Sequence, residues 1–334
     1  MRPLGVRARV VLVTTVALLL VSLPAVSAGA TGTPGTNRNG ASGARSSGSE
    51  AVPIGGGWIE FFFGGRGSVA GPFTFAHRTP VVLSVTDLFC VGDRFDILEN
   101  GRVVDVTSTP AVPPTCNPPF AANQPRPAFY QGLYSAGMVL LPGGAQQITI
   151  RASQSPFGAG AAFLRVDACT RFLTRPGKLV GTAGNDTLCG SPGNDIITGG
   201  AGNDRIAGGG GNDILQGGPG ADAIAGGPGS DLIAGQGGND RLFGDAGTDL
   251  VTGGAGHDGI SGGGSGDALY AGGGLTNVVV GDAGSDSLFG GPGNDLLSGS
   301  SGNDLLQGAG GTDLCIGGPG IDAAVGCEIT QSIP

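Results

Sequence analysis

Fifteen aspartates stand at fixed intervals in the C-terminal half of this 334-residue chain. Asp186, Asp195, Asp204, Asp213, Asp222, Asp231, Asp240, Asp249, Asp258 and Asp267 are nine residues apart, and after a 19-residue step Asp286, Asp295, Asp304, Asp313 and Asp322 resume the interval. A row of carboxylates offers oxygen-only ligands, the chemistry that hard divalent cations prefer. Between residues 181 and 325 there are 17 Asp against two Arg (Arg205 and Arg241), a net of −15, while the whole chain carries −9. The acidity therefore belongs to one segment, and it argues against nucleic acid as a partner.

The elements that position these residues are short and repeated. In register from Gly181 the chain gives GTAGNDTLC, GSPGNDIIT, GGAGNDRIA, GGGGNDILQ and so on to GGPGIDAAV: 16 units of nine with one extra residue, Ala271, filling 181–325. Position 1 is Gly in every unit, position 6 is Asp in 15, and position 8 is nearly always aliphatic. Nine residues match neither the helical period nor plain strand alternation. They match a six-residue turn and a three-residue strand whose middle side chain points inward. Glycines at positions 1 and 4 permit tight turns, and Pro at position 3 of five units presets φ there.

Two units then make one coil of a right-handed parallel roll, with coils about 4.8 Å apart. Carboxylates roughly 5 Å apart repel by about 0.8 kcal/mol per pair even in water. One inward aliphatic per nine residues is a thin core to offset that. A divalent cation between the carboxylates reverses the sign, and flexible all-oxygen ligation points to calcium.

The pattern G-G-x-G-x-D-x-U-x resembles the calcium-binding nonapeptide of RTX, or hemolysin-type, proteins over 145 residues of this chain. The resemblance implies a β-roll that binds several Ca2+ ions, with the 15 aspartates named above as ligands together with backbone carbonyls. In GGGLTNVVV, Leu275 replaces the position-4 glycine and Asn277 the aspartate, while Ala271 shifts the frame. A bulge and a missing ion are expected there. Classical members leave the cell by a signal beyond the repeats, but nine residues follow Val325. Export is expected to use the other end.

That end reads as a signal peptide over 1–28: Arg2, Arg7 and Arg9, an apolar run from Val10 to Leu23, and the small-residue site Val26-Ser27-Ala28. An uncleaved anchor is the alternative; after cleavage no stable membrane span remains. Residues 29–50 are a Gly/Ser/Thr linker without bulky apolar side chains. Residues 51–170 hold most of the Phe and the one Trp. PVVLSVTDLF, DRFDILENGRVVDV, AQQITIRA and AAFLRVDA look like strands, with a hairpin at Asn100-Gly101. An all-β fold follows: a β-sandwich, loosely resembling the jelly-roll-like domains of secreted surface proteins, then a connector at 171–180, the roll at 181–325 and a cap at 326–334. Asp87, Asp93 and Asp96 are either a further calcium site or ordinary turn carboxylates. Six cysteines in an exported chain suggest disulfides, and position favours Cys90–Cys116, Cys169–Cys189 and Cys315–Cys327.

No H-E-x-x-H, G-x-S-x-G or P-loop occurs, and the two histidines, His77 and His257, lie in different segments, so the chain does not read as an enzyme. A carboxylate-pair hydrolase in the sandwich stays open. The expected role is a secreted calcium-binding repeat protein, free or surface-associated, whose sandwich meets a surface glycan or protein. The alternative is a structural envelope protein without a specific ligand.

Overall fold

The computed structural model describes residues 50–56, 58–63, 66–87, 94–107, 136–154, 160–327 and 329–331. The expected signal peptide, nearly all of the expected linker and the expected Cys90–Cys116 pair lie outside these residues, as does Asp93. The described strands number β1 (Glu50–Ala51) to β28 (Ile329–Gln331), without a helix, and Ala44–Pro334 forms one compact unit.

The N-terminal strands form two sheets. One has the order β1-β3-β8-β5-β6, from β3 (Val69–His77), β8 (Gly144–Gln154), β5 (Arg94–Glu99) and β6 (Arg102–Val106). The other is β2-β9-β4-β7, from β2 (Ile59–Phe63), β9 (Gly160–Ala168), β4 (Val81–Asp87) and β7 (Ala136–Leu141). Pairing is antiparallel except for β1 on β3. Between the sheets lies a core of Phe61, Phe73, Phe95, Ile97, Ile148 and Leu164, with Phe61 edge-on to Phe73 and Phe95. Asn100 and Gly101 take φ of 50° and 81°, the twin left-handed residues of a tight hairpin turn. Asp96 sits on β5 and is ion-paired to Arg151 of β8, which makes it a sheet-locking carboxylate rather than a turn ligand.

The repeats wind as a parallel solenoid from residue 171. Strands alternate between two sheets of ten and nine members, one running from β10 (Arg171–Phe172) and β12 (Thr187–Cys189) to β28, the other from β11 (Lys178–Val180) and β13 (Ile196–Thr198) to β27 (Ala323–Val325). The in-sheet register advances by 18 residues, as in Leu188↔Ile206 and Ile197↔Leu215, so two units make one coil. Position 8 fills the interior: Leu188, Ile197, Ile206, Leu215, Ile224 and their successors as far as Leu306 are fully buried, one per strand, while Ala324 at the end of the roll is exposed. Cys315 joins this column and is disulfide-bonded to Cys327, closing the C-terminal end as expected.

The second sandwich sheet is buried on both faces. Val81, Leu83 and Val85 face the sandwich core, while Val82, Ala136 and Met138 pack on Cys189, Ala207, Ala223, Ala225 and Phe243 of the roll. Small residues on this outward roll face let the two bodies approach closely. The Cys169–Cys189 disulfide and an ion pair from Arg205 to Asp167 (3.3 Å) cross the same junction.

The extra residue does not fall where counting placed it. Tyr270 pairs with Thr252 and Gly272 with Gly254, so Ala271 occupies the position-1 site that glycine holds elsewhere, and it is fully buried. The step to a 19-residue register appears only afterwards, at Ile260↔Val279. The insertion is thus absorbed within the following turn, where Leu275 is exposed, because a turn tolerates an added residue and a ladder does not.

Candidate metal centre

Each position-6 aspartate ends a turn and begins a strand, and the 18-residue register sorts all of them into two columns. One runs Asp186, Asp204, Asp222, Asp240, Asp258, Asn277, Asp295, Asp313. The other runs Asp195, Asp213, Asp231, Asp249, Asp267, Asp286, Asp304, Asp322. In both, the backbone N–H of each residue donates to the Oδ1 of the next member, at 2.7–3.0 Å. The backbone thereby fixes one carboxylate oxygen and leaves the other to be accounted for.

That second oxygen, Oδ2, is buried without a hydrogen-bond partner in Asp204, Asp213, Asp222, Asp231, Asp240, Asp249, Asp258, Asp267, Asp286, Asp295 and Asp304. An unpaired buried carboxylate oxygen is costly. It lies over the position-1 glycine of its own unit, close to the position-1 carbonyl of the next coil. A methyl group at Gly199 would collide with Asp204 Oδ2 and would stand 2.6 Å from the Gly217 carbonyl oxygen. Glycine at position 1 keeps open a space bounded by two oxygens.

The first unit of each column shows the alternative. Asp186 Oδ2 accepts from the Thr182 N–H and hydroxyl, both at 2.7 Å, and Asp195 Oδ2 from the Ser191 N–H (2.6 Å) and hydroxyl (2.9 Å). In the units that follow, position 2 is left-handed, with φ of 113° at Gly200 and 105° at Gly209. Their N–H groups donate instead to the Gly217 and Gly226 carbonyls. That rotation of position 2 is what withholds a donor from Oδ2. Asn277 solves the problem differently: its amide nitrogen donates to Asp295 Oδ1 at 3.0 Å.

Electrostatics follow burial. Desolvation, with help from neighbouring carboxylates and against the backbone hydrogen bond, pushes Asp240 and Asp267 up to about 8. The same causes take Asp213, Asp222, Asp249 and Asp286 to about 7. Asp231, Asp258 and Asp295 rise to about 6 through burial first, and Asp204 and Asp304 rise as well. Without a cation, burial moves all of these groups toward the protonated form.

Among the described residues, no three or more His, Cys, Asp or Glu side chains form a group able to hold an ion. An ion on these columns would therefore have to combine aspartate oxygens with backbone carbonyls. The donor set, all oxygen with an orphaned carboxylate lobe beside a carbonyl, fits a hard cation. The histidines are apart: His77 is hydrogen-bonded to Thr79, and His257 to Thr276.

The RTX calcium-binding nonapeptide repeat model matches at 180–215, 216–251, 243–275, 271–306 and 289–323. Residues 180–323 are RTX calcium-binding repeats. No curated protein matches the chain in sequence. Among solved structures, the chain is similar to the catalytic domain of a GH87 alpha-1,3-glucanase in complex with nigerose, at 10% identity over 79% of this chain and 68% of that one, with a TM-score of 0.24. A single-site variant of that domain with tetrasaccharides gives 8% identity, the same coverage and a TM-score of 0.22. Similarity at that level bears on no activity here.

A cleft of about 990 Å³ lies where sandwich and roll meet, lined among others by Met138, Leu140, Phe172, Phe243, Asp245 and Asp282. Sequence reasoning missed it, because its two walls are about 100 residues apart in the chain.

Proposed function

We propose that this is an exported calcium-binding repeat protein in which ions along the two aspartate columns complete the fold of the roll, and the sandwich mounted on it meets a surface glycan or protein. The observation that carries the calcium reading is the set of eleven buried Oδ2 atoms without a partner, repeated at one geometry. Eleven desolvated carboxylates are incompatible with a stable ionised roll unless positive charge lies beside them. Cations supply that charge, and the open space above each position-1 glycine is where they fit. The ligands are the 15 position-6 aspartates, with Asp186 and Asp195 the least dependent on an ion because Thr182 and Ser191 already satisfy them.

Two disulfides among the described residues and an N-terminal sequence of signal-peptide type support an extracellular setting, where calcium is abundant. The roll would remain unfolded inside the cell and fold on emergence. The junction of Val82, Ala136 and Met138 with Phe243 and its neighbours packs the sandwich onto the roll, as suits a binding module on a support.

Equilibrium dialysis against calcium, with the bound metal counted by atomic emission, tests the first part. Several ions per chain are expected, and fewer in Asp222→Asn/Asp240→Asn; no bound calcium refutes the reading. A panel of immobilised glycans tests the second, and a chain that binds none while retaining its calcium points to the structural role.

A further inference from the structure

The two outward faces of the roll differ. The face carrying Ala207, Ala225 and Phe243 is covered by the sandwich. The opposite face, from β13 (Ile196–Thr198) to β27 (Ala323–Val325), presents positions 7 and 9 of eight strands. Ile196, Ile214, Leu232 and Leu250 form one in-register column on it, each 38–44% exposed. The apolar line then crosses to position 9, where Tyr270 and Phe289 stack with centroids 4.5 Å apart, and returns to Leu305. None of the 16 outward residues on these eight strands is charged, in a segment that holds 17 aspartates.

From these observations we infer that this face is the interface of a homodimer, two copies packed back to back with their rolls antiparallel. Charge selects the face: two chains of −9 each repel through any acidic surface and meet without penalty only where charge is absent. Geometry makes it self-complementary. A two-fold axis in the plane of the face and along the strands lays the position-7 column on its own copy, and the constant coil spacing keeps every rung aligned. Seven steps of about 4.8 Å and a width of about 15 Å give about 500 Å² per copy, or about 1,000 Å² for the pair, which meets the lower limit for a biological interface and makes this a weak, reversible dimer. Under that axis the first strand of the face meets the last, so that at position 9 Gln216 faces Gln307 and Thr252 faces Tyr270 across the contact. This inference needs only the folded roll and does not depend on what the sandwich binds.

Sedimentation equilibrium of the full chain in saturating calcium tests it, with far-UV circular dichroism confirming the fold of every sample. A dimer mass is expected for the parent chain. Leu232→Lys/Leu250→Lys should weaken self-association by about 100-fold or more, because it buries four unpaired lysine charges in an apolar contact, facing Ser287 and Ala268 of the second copy. Leu275→Lys, in an exposed turn away from the face, should leave the dimer intact. A nitroxide attached at Thr252→Cys should show dipolar coupling to its counterpart in the second copy, and none after dilution into excess unlabelled chain. A monomeric parent chain, or a folded lysine double variant that remains dimeric, overturns the proposal. So does a monomer in which the same variant abolishes only glycan binding.

Discussion

Replacing one column aspartate by asparagine should change stability with opposite sign in calcium and in chelator. Asp240 is the sharpest case. It is fully buried, its Oδ1 accepts the Asp222 N–H at 2.9 Å, its Oδ2 has no partner, and burial lifts it from 3.8 to about 8. At pH 7 without metal, folding must take this group from an ionised unfolded state to a protonated folded one, over about three pH units, at about 1.4 kcal/mol each. The cost is about 4 kcal/mol as an upper bound, and about 2 kcal/mol once solvent screening and sharing of charge along the column are allowed for. Asp240→Asn removes it. The amide is geometrically tolerated, since Asn277 already occupies this column, accepting the Asp258 N–H at 2.9 Å and donating to Asp295. In EDTA the variant should therefore be more stable by about 2 kcal/mol. In calcium it loses a charged ligand, and forfeiting one ion that is at about 100 times its dissociation constant costs about 3 kcal/mol. Urea titrations in EDTA and in calcium, with an osmolyte to bring the chelated transition into range, measure both numbers. A change of the same sign in both conditions would refute the reasoning.

The same carboxylates set a pH dependence. Their folded values lie above the ordinary 3.8, so the metal-free roll has this stability in full below about pH 4 and loses it as pH rises through about 6 to 8. Circular dichroism in EDTA should show more β structure at pH 5 than at pH 8, while calcium affinity falls over the same range on acidification, because protons compete for the ligands. Ser191→Ala should destabilise by about 1–2 kcal/mol whether calcium is present or absent, since the lost bond to Asp195 needs no metal; thermal melts in both buffers check the equality. Gly235→Ala should lower stability in calcium by about 2–3 kcal/mol and delete an ion, because its methyl group would meet both Asp240 Oδ2 and the Gly253 carbonyl; calorimetric ion counting reads the deletion.

The repeat was legible because every column of the nonapeptide answers to one local demand. The inward position 8, the turn glycines and the two-unit coil all follow from nine-residue arithmetic, and the 18-residue register reproduces them. Pairing of Cys169 with Cys189 and of Cys315 with Cys327 was readable from their places at the two ends of the array. What depends on the path of one peptide was not. The rotation of position 2 that leaves Oδ2 without a donor, and the Thr182 and Ser191 hydroxyls that supply one, cannot be seen in a letter pattern. Counting assigns the extra residue to Ala271, the first mismatch in the repeat, while the ladder pushes it into the next turn. The run Val81-Val82-Leu83 carried a further signal: consecutive apolar residues on a strand indicate burial on both sides, and the roll is what covers the second side.

The most direct measurement is a calcium titration of the full disulfide-bonded chain by far-UV circular dichroism and isothermal calorimetry, followed by back-titration with EDTA. Gain of β signal in step with the uptake of several ions, reversed by the chelator, is the expected result. Undiminished β structure of the roll in EDTA at pH 8, with no heat on adding calcium, would contradict a fold completed by metal on its aspartate columns.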